Sequence, residues 1–474
     1  MVLTVEKIGG TSMSRLNELR DTLFIGAREG RGLYGRIFVV SAFGGITDLL
    51  LEHKKSGEPG VYALFANDDG HYGWHDGLNR VAAAMKAAHC AILDHPGDLQ
   101  QADAFVDERL HGARNCLIDL QRLCSYGHFR LVQHMGQTRE LLSGLGEAHS
   151  AFVATLLLQR AGVKARFVDL SGWRDEGDLS LDARIRQALE GIDPGVEMPI
   201  VTGYAQCAEG LVGEYDRGYS EVTFSRLAAL VEASEAIIHK EFHLSSGDPK
   251  LVGQELVRKL GRTSYDVADQ LSNMGMEAIH PKAAKMLRQA DIPLRVTNAF
   301  EPDDPGTLID DKPADRPAAE IVTGLDVVTL EVFEQDMVGV KGYDATILDV
   351  LTRHNVRIVS KVSNANTITH YLAASLKTMR RVTQELARLY PTAEIATRTL
   401  SIASVIGRDL QGLSVLSRGL QAISDAGHDI IGASQGPRNV DVQFVVERDA
   451  LHPTIRALHG EFIEAARDRL SRAA

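Results

Sequence analysis

The chain has 474 residues, 44% apolar and 24% charged, with a formal net charge of -12. That length calls for two or three domains, and the acidic balance excludes nucleic-acid binding through a basic surface. Four cysteines without CxxC or zinc spacing are expected as reduced, buried thiols, and the absence of a signal-like start or an apolar run of about 18 residues predicts a cytoplasmic chain with no membrane partner.

In "TVEKIGGTSMS" (4–14), Val5 and its apolar neighbours predict a first strand, with Lys7 at its end. Gly9 and Gly10 leave backbone N–H groups uncovered, and Thr11 and Ser12 suit a helix N-cap. Strand, glycine turn, helix start and one cation together predict a phosphate site. A second such unit follows in "VVSAFGGITDLL" (39–50), where Ser41 ends a strand and Thr47 and Asp48 can cap the next helix. Two glycine turns at one sheet edge suit a phosphoryl group in transfer.

Residues 53–135 are expected as a mainly helical excursion. Strand-like runs then recur at 165–172, 198–204, 235–242 and 292–299, with helical stretches at 148–162 and 224–234 between them. This alternation predicts an α/β fold with a mostly parallel sheet covered on both faces. The Pro- and Asp-rich segment near 302–319 predicts a linker. Beyond it, 327–375 and 399–447 show the same order of strand, helix and two strands. The repeat predicts paired βαββ units, a regulatory module behind a catalytic domain.

Two pattern matches carry no chemistry. "GRGLYG" (30–35) precedes a strand, whereas a dinucleotide fingerprint follows one. "GASQG" (432–436) is followed by turn and strand, not by the helix of a nucleophile elbow.

The opening "KIGGTS" resembles that of the aspartate kinases, as do "VSAFGGITDLL", "GLGEAHSA" (144–151), "DRGYSE" (216–221), "GMEAIHPKA" (275–283) and "DIPLRVTN" (291–298). "MVGVKGYDATILDVLTRHNVRI" and "GLSVLSRGLQAISDAGHDIIGASQ" are similar to the family's two ACT domains. The resemblance implies an amino-acid kinase fold, an α/β/α sandwich, over 1–302. A linker at 303–325 and ACT domains at 326–395 and 396–474 would follow. It implies transfer of a phosphoryl group from MgATP to the β-carboxylate of L-aspartate. Lys7, with the N–H groups of Gly9 and Gly10, would bear on the phosphoryl oxygens. Glu147 would hold the substrate ammonium, Arg217 a substrate carboxylate, and Ser41, Thr47 and Ser220 would supply hydroxyls. A carboxylate acceptor needs no strong base, so positioning and charge neutralisation carry such a reaction.

Thr11, Ser12, Lys240, Glu241, Ser246, Lys250 and Glu277 are the expected nucleotide residues, and here the chain departs from the family pattern. Its loop reads "HKEFHLSSGDPK" (239–250), and Glu277 stands where many relatives have lysine. Lys240 is expected to restore the charge that Glu277 removes. These variant motifs resemble the branch associated with ectoine synthesis. In the first ACT domain, Asp336, Met337, Val340, Tyr343, Asp344, Asn355 and Asn364 are expected to meet an amino-acid effector, lysine or threonine, and the ACT domains are expected to support a homodimer or higher homo-oligomer. Two alternatives remain open on the sequence: a kinase of another acidic amino acid, and a non-catalytic regulatory partner.

Overall fold

The computed structural model describes residues 3–465 except 55, 68–72, 176, 216–217, 277–278 and 315. Its strands are β1 (Thr4–Ile8), β2 (Arg36–Val40), β3 (Ala165–Val168), β4 (Met198–Thr202), β5 (Glu235–Lys240), β6 (Arg262–Ser264) and β7 (Leu294–Asn298). The remainder are β8 (Thr307–Asp310), β9 (Ile321–Phe333), β10 (Arg357–Ser363), β11 (Thr367–Ala373), β12 (Glu394–Ile406), β13 (Gly432–Gln435) and β14 (Asp441–Glu447). The chain divides into two units, one of residues 1–244 and 279–310, the other of 245–278 and 311–474.

In the first unit the strands lie in the order β3-β4-β2-β1-β5-β7-β8. All neighbours are parallel except β7 and β8. β1 is central, and Lys7 lies between Val39 of β2 and Ile238 of β5. Every residue of β2 and β4 is buried, as a sheet covered on both faces requires. The expected excursion is helical, with helices Gly73–Cys90 and Pro96–Ser125. Trp74, Leu78, Val81, Leu110 and Leu117 of these helices join the main core. Residues 131–160 are long and apolar enough to cross a membrane, yet 89% of their most apolar window is buried inside the structure. All but the first turn of this stretch forms a core helix, Met135–Arg160, which carries Glu147.

Successive residues of a strand face opposite sides, and β1 uses both for charge. Glu6 is 3% exposed and binds Arg36 through Nε (2.7 Å) and Nη2 (2.8 Å), with His239 Nε2 at 2.8 Å. Burial opposes ionisation of Glu6, but the Arg36 charge and the hydrogen bonds from His239 and Arg36 outweigh it and hold the carboxyl well below the usual range. Glu6→Gln leaves Arg36 buried without its counter-charge. A loss of about 3–5 kcal/mol is expected for breaking such a pair, read as a lower urea midpoint. Because the folded-state pKa is depressed, the stabilisation from Glu6 is complete above the ordinary carboxylate range. It is lost as pH falls through the depressed value.

In the second unit the sheet order is β10-β11-β9-β12-β14-β13, antiparallel throughout. β9 and β12 pair over 13 residues, from Ile321↔Ile406 to Phe333↔Glu394. Each repeat gains a closing helix, Leu376–Leu389 in one and Leu451–His459 in the other, so the unit is βαββα rather than the expected βαββ.

Several expectations of domain bounds and burial need correction. The 303–325 stretch contains β8 and the start of β9, so it is not a bare linker. The segment 245–278 belongs with the second unit, because Val267, Leu271 and Met274 pack against Ile321, Val327, Tyr371 and Leu400. The expected boundary at 395/396 falls inside β12. Of the cysteines, Cys207 is buried, whereas Cys90 and Cys116 are exposed.

Candidate active site

The first glycine turn begins a helix of only four residues, Gly10–Met13, and the second a helix of five, Ile46–Leu50. Thr11, Ser12, Thr47 and Asp48 do not cap them; the N-caps are Gly9 and Gly45, and neither helix has a side-chain cap bond. A long-helix dipole is therefore absent from both turns, and free backbone donors are what they offer. Gly45 needs its side-chain-free backbone, with φ of 83°. Gly10 needs it for a different reason: a Cβ there would stand 2.6 Å from the Ala42 carbonyl oxygen. The two turns are thus in direct contact. Gly9 faces open space.

Lys7, 8% exposed, reaches Glu221 Oε1 at 3.4 Å. Glu221 also accepts the N–H of His280. Burial raises the Glu221 pKa, but the charges of Lys7 and Lys240 and the His280 hydrogen bond bring it below the ordinary value. Lys240, at the end of β5, thus acts on the same carboxylate as Lys7. Glu147 is 3% exposed, and its Oε2 has no hydrogen-bond partner. Burial pushes its carboxyl up to about 8, against the opposing pull of the Lys7 charge and the Tyr204 N–H. Ser41 and Ser220 meet hydroxyl to hydroxyl at 3.4 Å. A Cβ on Gly203 would strike Ser220 Cβ at 2.6 Å and Glu147 Oε2 at 2.9 Å.

The structure therefore gathers Lys7, Glu147, Ser41 and Ser220 around one point. Thr47 is half-buried in the short helix that follows the second turn. Ser12 is buried and donates to Glu241 Oε1 at 2.6 Å, while Thr11 is exposed. Arg217 and Glu277 lie outside the described residues. Ser246 is a correction. Its hydroxyl is buried in the second unit between His459 Nε2 (2.9 Å) and the Arg258 N–H (3.0 Å), which commits it to that core. Lys250 is exposed in the same unit. Glu221 and Gly203 were not singled out from sequence. Glu221 could have been found, since it follows Ser220 at the start of the helix Tyr219–Leu230.

A buried histidine pair supports the Glu147 helix. His149 sits edge-on to Phe43 of the second turn, with ring centres 5.4 Å apart, and its Nε2 meets His89 Nδ1 at 3.1 Å. Burial, helped by His89, pushes His149 down to about 3 and keeps it neutral.

Among the expected effector residues, Asp336 and Met337 form a turn before the helix Tyr343–Arg353, and Val340 is exposed. Tyr343 stacks on Tyr390 at 4.9 Å between ring centres, and Asp344 binds Lys361 at 2.6 Å. Asn355 and Asn364 have local duties. Asn355, with φ of 50°, ends that helix, and Asn364 Oδ1 accepts the N–H groups of Asn366 and Thr367 in a hairpin turn.

Residues 2–298 match the amino acid kinase family. The chain is 49% identical to the aspartate kinase Ask_Ect of Stutzerimonas stutzeri, over 97% of each. It is 26% identical to aspartokinase 2 of Arabidopsis thaliana, over 97% of this chain and 84% of that one. Its fold is that of Escherichia coli aspartokinase III, solved with lysine and aspartate, at a TM-score of 0.72 and 18% identity over 97% and 99% of the two chains. On this evidence the chain belongs to the amino acid kinase family, and within it to the aspartate kinases.

Proposed function

We propose that this enzyme transfers the γ-phosphoryl group of MgATP to the β-carboxylate of L-aspartate, giving 4-phospho-L-aspartate and ADP. A carboxylate oxygen forms the new bond to phosphorus as the bond to the ADP oxygen breaks. The observation that carries the proposal is a lysine and an unpartnered, buried carboxyl converging beside two glycine turns. Lys7 neutralises charge on the transferring group, and the turn N–H groups add donors that need no reorganisation. Glu147 takes the substrate ammonium, for which its vacant oxygen and dry surroundings are suited. Ser41, Thr47, Ser220 and Arg217 bind the rest of the amino acid. Glu221 holds Lys7 in place and would be a carboxylate available to a Mg²⁺ brought by ATP, which would supply further positive charge to the phosphates.

Lys240, Glu241, Ser12 and Thr11 serve the nucleotide from the β1 and β5 ends. Lys240→Ala is expected to raise the KM for ATP about tenfold, as for loss of one charge-assisted contact, with the KM for aspartate little changed. Steady-state kinetics at varied ATP would check this. The likeness to Ask_Ect and the variant loop support a place in ectoine supply. The βαββα repeats support control by lysine or threonine, with Asp336, Met337, Val340, Tyr343 and Asp344 as the effector contacts and a homodimer as the assembly. The direct test traps aspartyl phosphate as its hydroxamate, with and without each effector. Aspartate-dependent product supports the reading. Folded protein that yields none with Mg²⁺ present would instead favour a regulatory partner.

A further inference from the structure

The second glycine turn is held mainly from one side. Phe43, Gly44, Gly45 and Ile46 border a cavity of about 480 Å³, and a Cβ on Gly45 would meet nothing. On that side the Ser14 hydroxyl accepts the Gly44 N–H at 2.9 Å. Two adjacent glycines beside open space make a backbone that is free to shift. The opposite side is the helix Met135–Arg160. Its Ser150 Oγ donates to the Ser41 carbonyl at 2.8 Å. Its Gly146 lets Ala42 and Ile46 sit close, since a Cβ there would stand 2.8 Å from Ala42 Cβ and 3.1 Å from Ile46 Cγ2. His149 then meets Phe43 edge-on.

His149 is 1% exposed, and a chain of hydrogen bonds that reaches the surface fixes it in turn. Its Nε2 lies 3.1 Å from His89 Nδ1, and His89 Nε2 lies 3.1 Å from Asp103 Oδ1. Asp103 is 45% exposed, with Lys86 Nζ 3.8 Å from the same oxygen. A carboxylate only accepts, so His89 Nε2 donates to it. The lone pair on His89 Nδ1 then takes the Nε2–H of His149. His149 Nδ1 is left bare, buried and without a hydrogen-bond partner. An apolar side chain would fill this core space without orphaning a nitrogen. It would not have its ring set in one direction by a bonded neighbour. We infer that His149 is a positioning residue for the amino-acid substrate, aimed by His89 and Asp103 so that its ring fixes Phe43 and, with it, Ser41 and Thr47. The inference rests on the reading that the second turn binds aspartate.

The test takes two readouts on the full chain: amide hydrogen exchange over 41–50 without ligands, and steady-state KM values for aspartate and for ATP. His149→Ala is expected to speed exchange over 41–50 and to raise the KM for aspartate about tenfold, as for a misplaced binding group, with the KM for ATP little changed. Asp103→Ala should raise the KM for aspartate about threefold, the scale of one hydrogen bond. It should add nothing in the His149→Ala background, because both variants break the same chain, whereas unrelated losses of stability add. Asp103→Ala alters a half-exposed side chain, so the test stands even where His149→Ala does not fold. Unchanged exchange over 41–50, an unchanged KM for aspartate, or additive effects in the double variant would overturn the inference. A parent enzyme that makes no aspartyl phosphate would overturn the proposed function instead, and the exchange data would still decide whether His149 holds the turn.

Discussion

Lys7→Ala should lower kcat by about a thousandfold, the scale on which removal of one preorganised charge from a transferring group is felt. Lys7 touches Glu221, and its charge acts on both Glu221 and Glu147. Its loss removes positive charge from the reacting group and leaves two buried carboxyls less compensated. The second effect is one of stability, so the rate must be read on protein shown to be folded by circular dichroism. Lys7→Arg separates the two. It keeps the charge and should hold stability near the parent, yet recover only part of the rate, because a planar guanidinium cannot occupy the place of a point charge. A Lys7→Ala enzyme within tenfold of the parent would remove Lys7 from the reaction.

The second large effect belongs to Glu147. With its carboxyl at about 8, most of the empty enzyme carries a proton there at neutral pH. Only the ionised form matches an ammonium. The apparent Kd for aspartate should therefore fall about tenfold per pH unit between pH 6 and 7.5 and flatten above 8, following the ionised fraction. Calorimetry in buffers of different ionisation enthalpy should show proton release on binding. Glu147→Gln should weaken binding by about tenfold to a hundredfold, as for a lost charged hydrogen bond, and abolish the slope. The sign for folding is the reverse of that for Glu6. A carboxyl raised in the folded state binds more protons there than in the unfolded chain. The unliganded protein should lose stability as pH rises from the ordinary 4.5 toward 8. A pH-independent Kd would show that Glu147 does not receive the ammonium.

The sequence disclosed those parts of the site that follow from local pattern. Glycines after a strand marked both turns, because uncovered backbone has few other uses. Lys7 was legible because a strand end is an unusual place for a lone cation. Glu147 was not legible from its own neighbourhood: a glutamate within an apolar helix gains meaning only when Tyr204 and Lys7 are brought beside it, and resemblance supplied that. Gly203 went unremarked for the same reason, since Glu147 and Val40 reach it only through the fold; Glu221 was passed over although its place beside Ser220 offered a local signal. Ser246 shows the opposite failure. Adjacency to Lys240 in sequence suggested a shared task, but a few residues beyond β5 the backbone has joined another core, where His459 takes its hydroxyl. The extent of 245–278 was hidden likewise, because packing of Val267 and Leu271 on Ile321 has no local signature.

The long β9–β12 pairing sets the terms on which the C-terminal repeats can exist. Each of these strands has the other repeat's strand as its neighbour over its whole length. A chain ending after the first repeat would expose a 13-residue edge of β9, rich in Val and Leu and open to pairing with another molecule. The two repeats are thus one cooperative body. Duplication of a small module here created an obligation as well as a second copy: neither half keeps a closed sheet alone, and a signal received by one is borne by both.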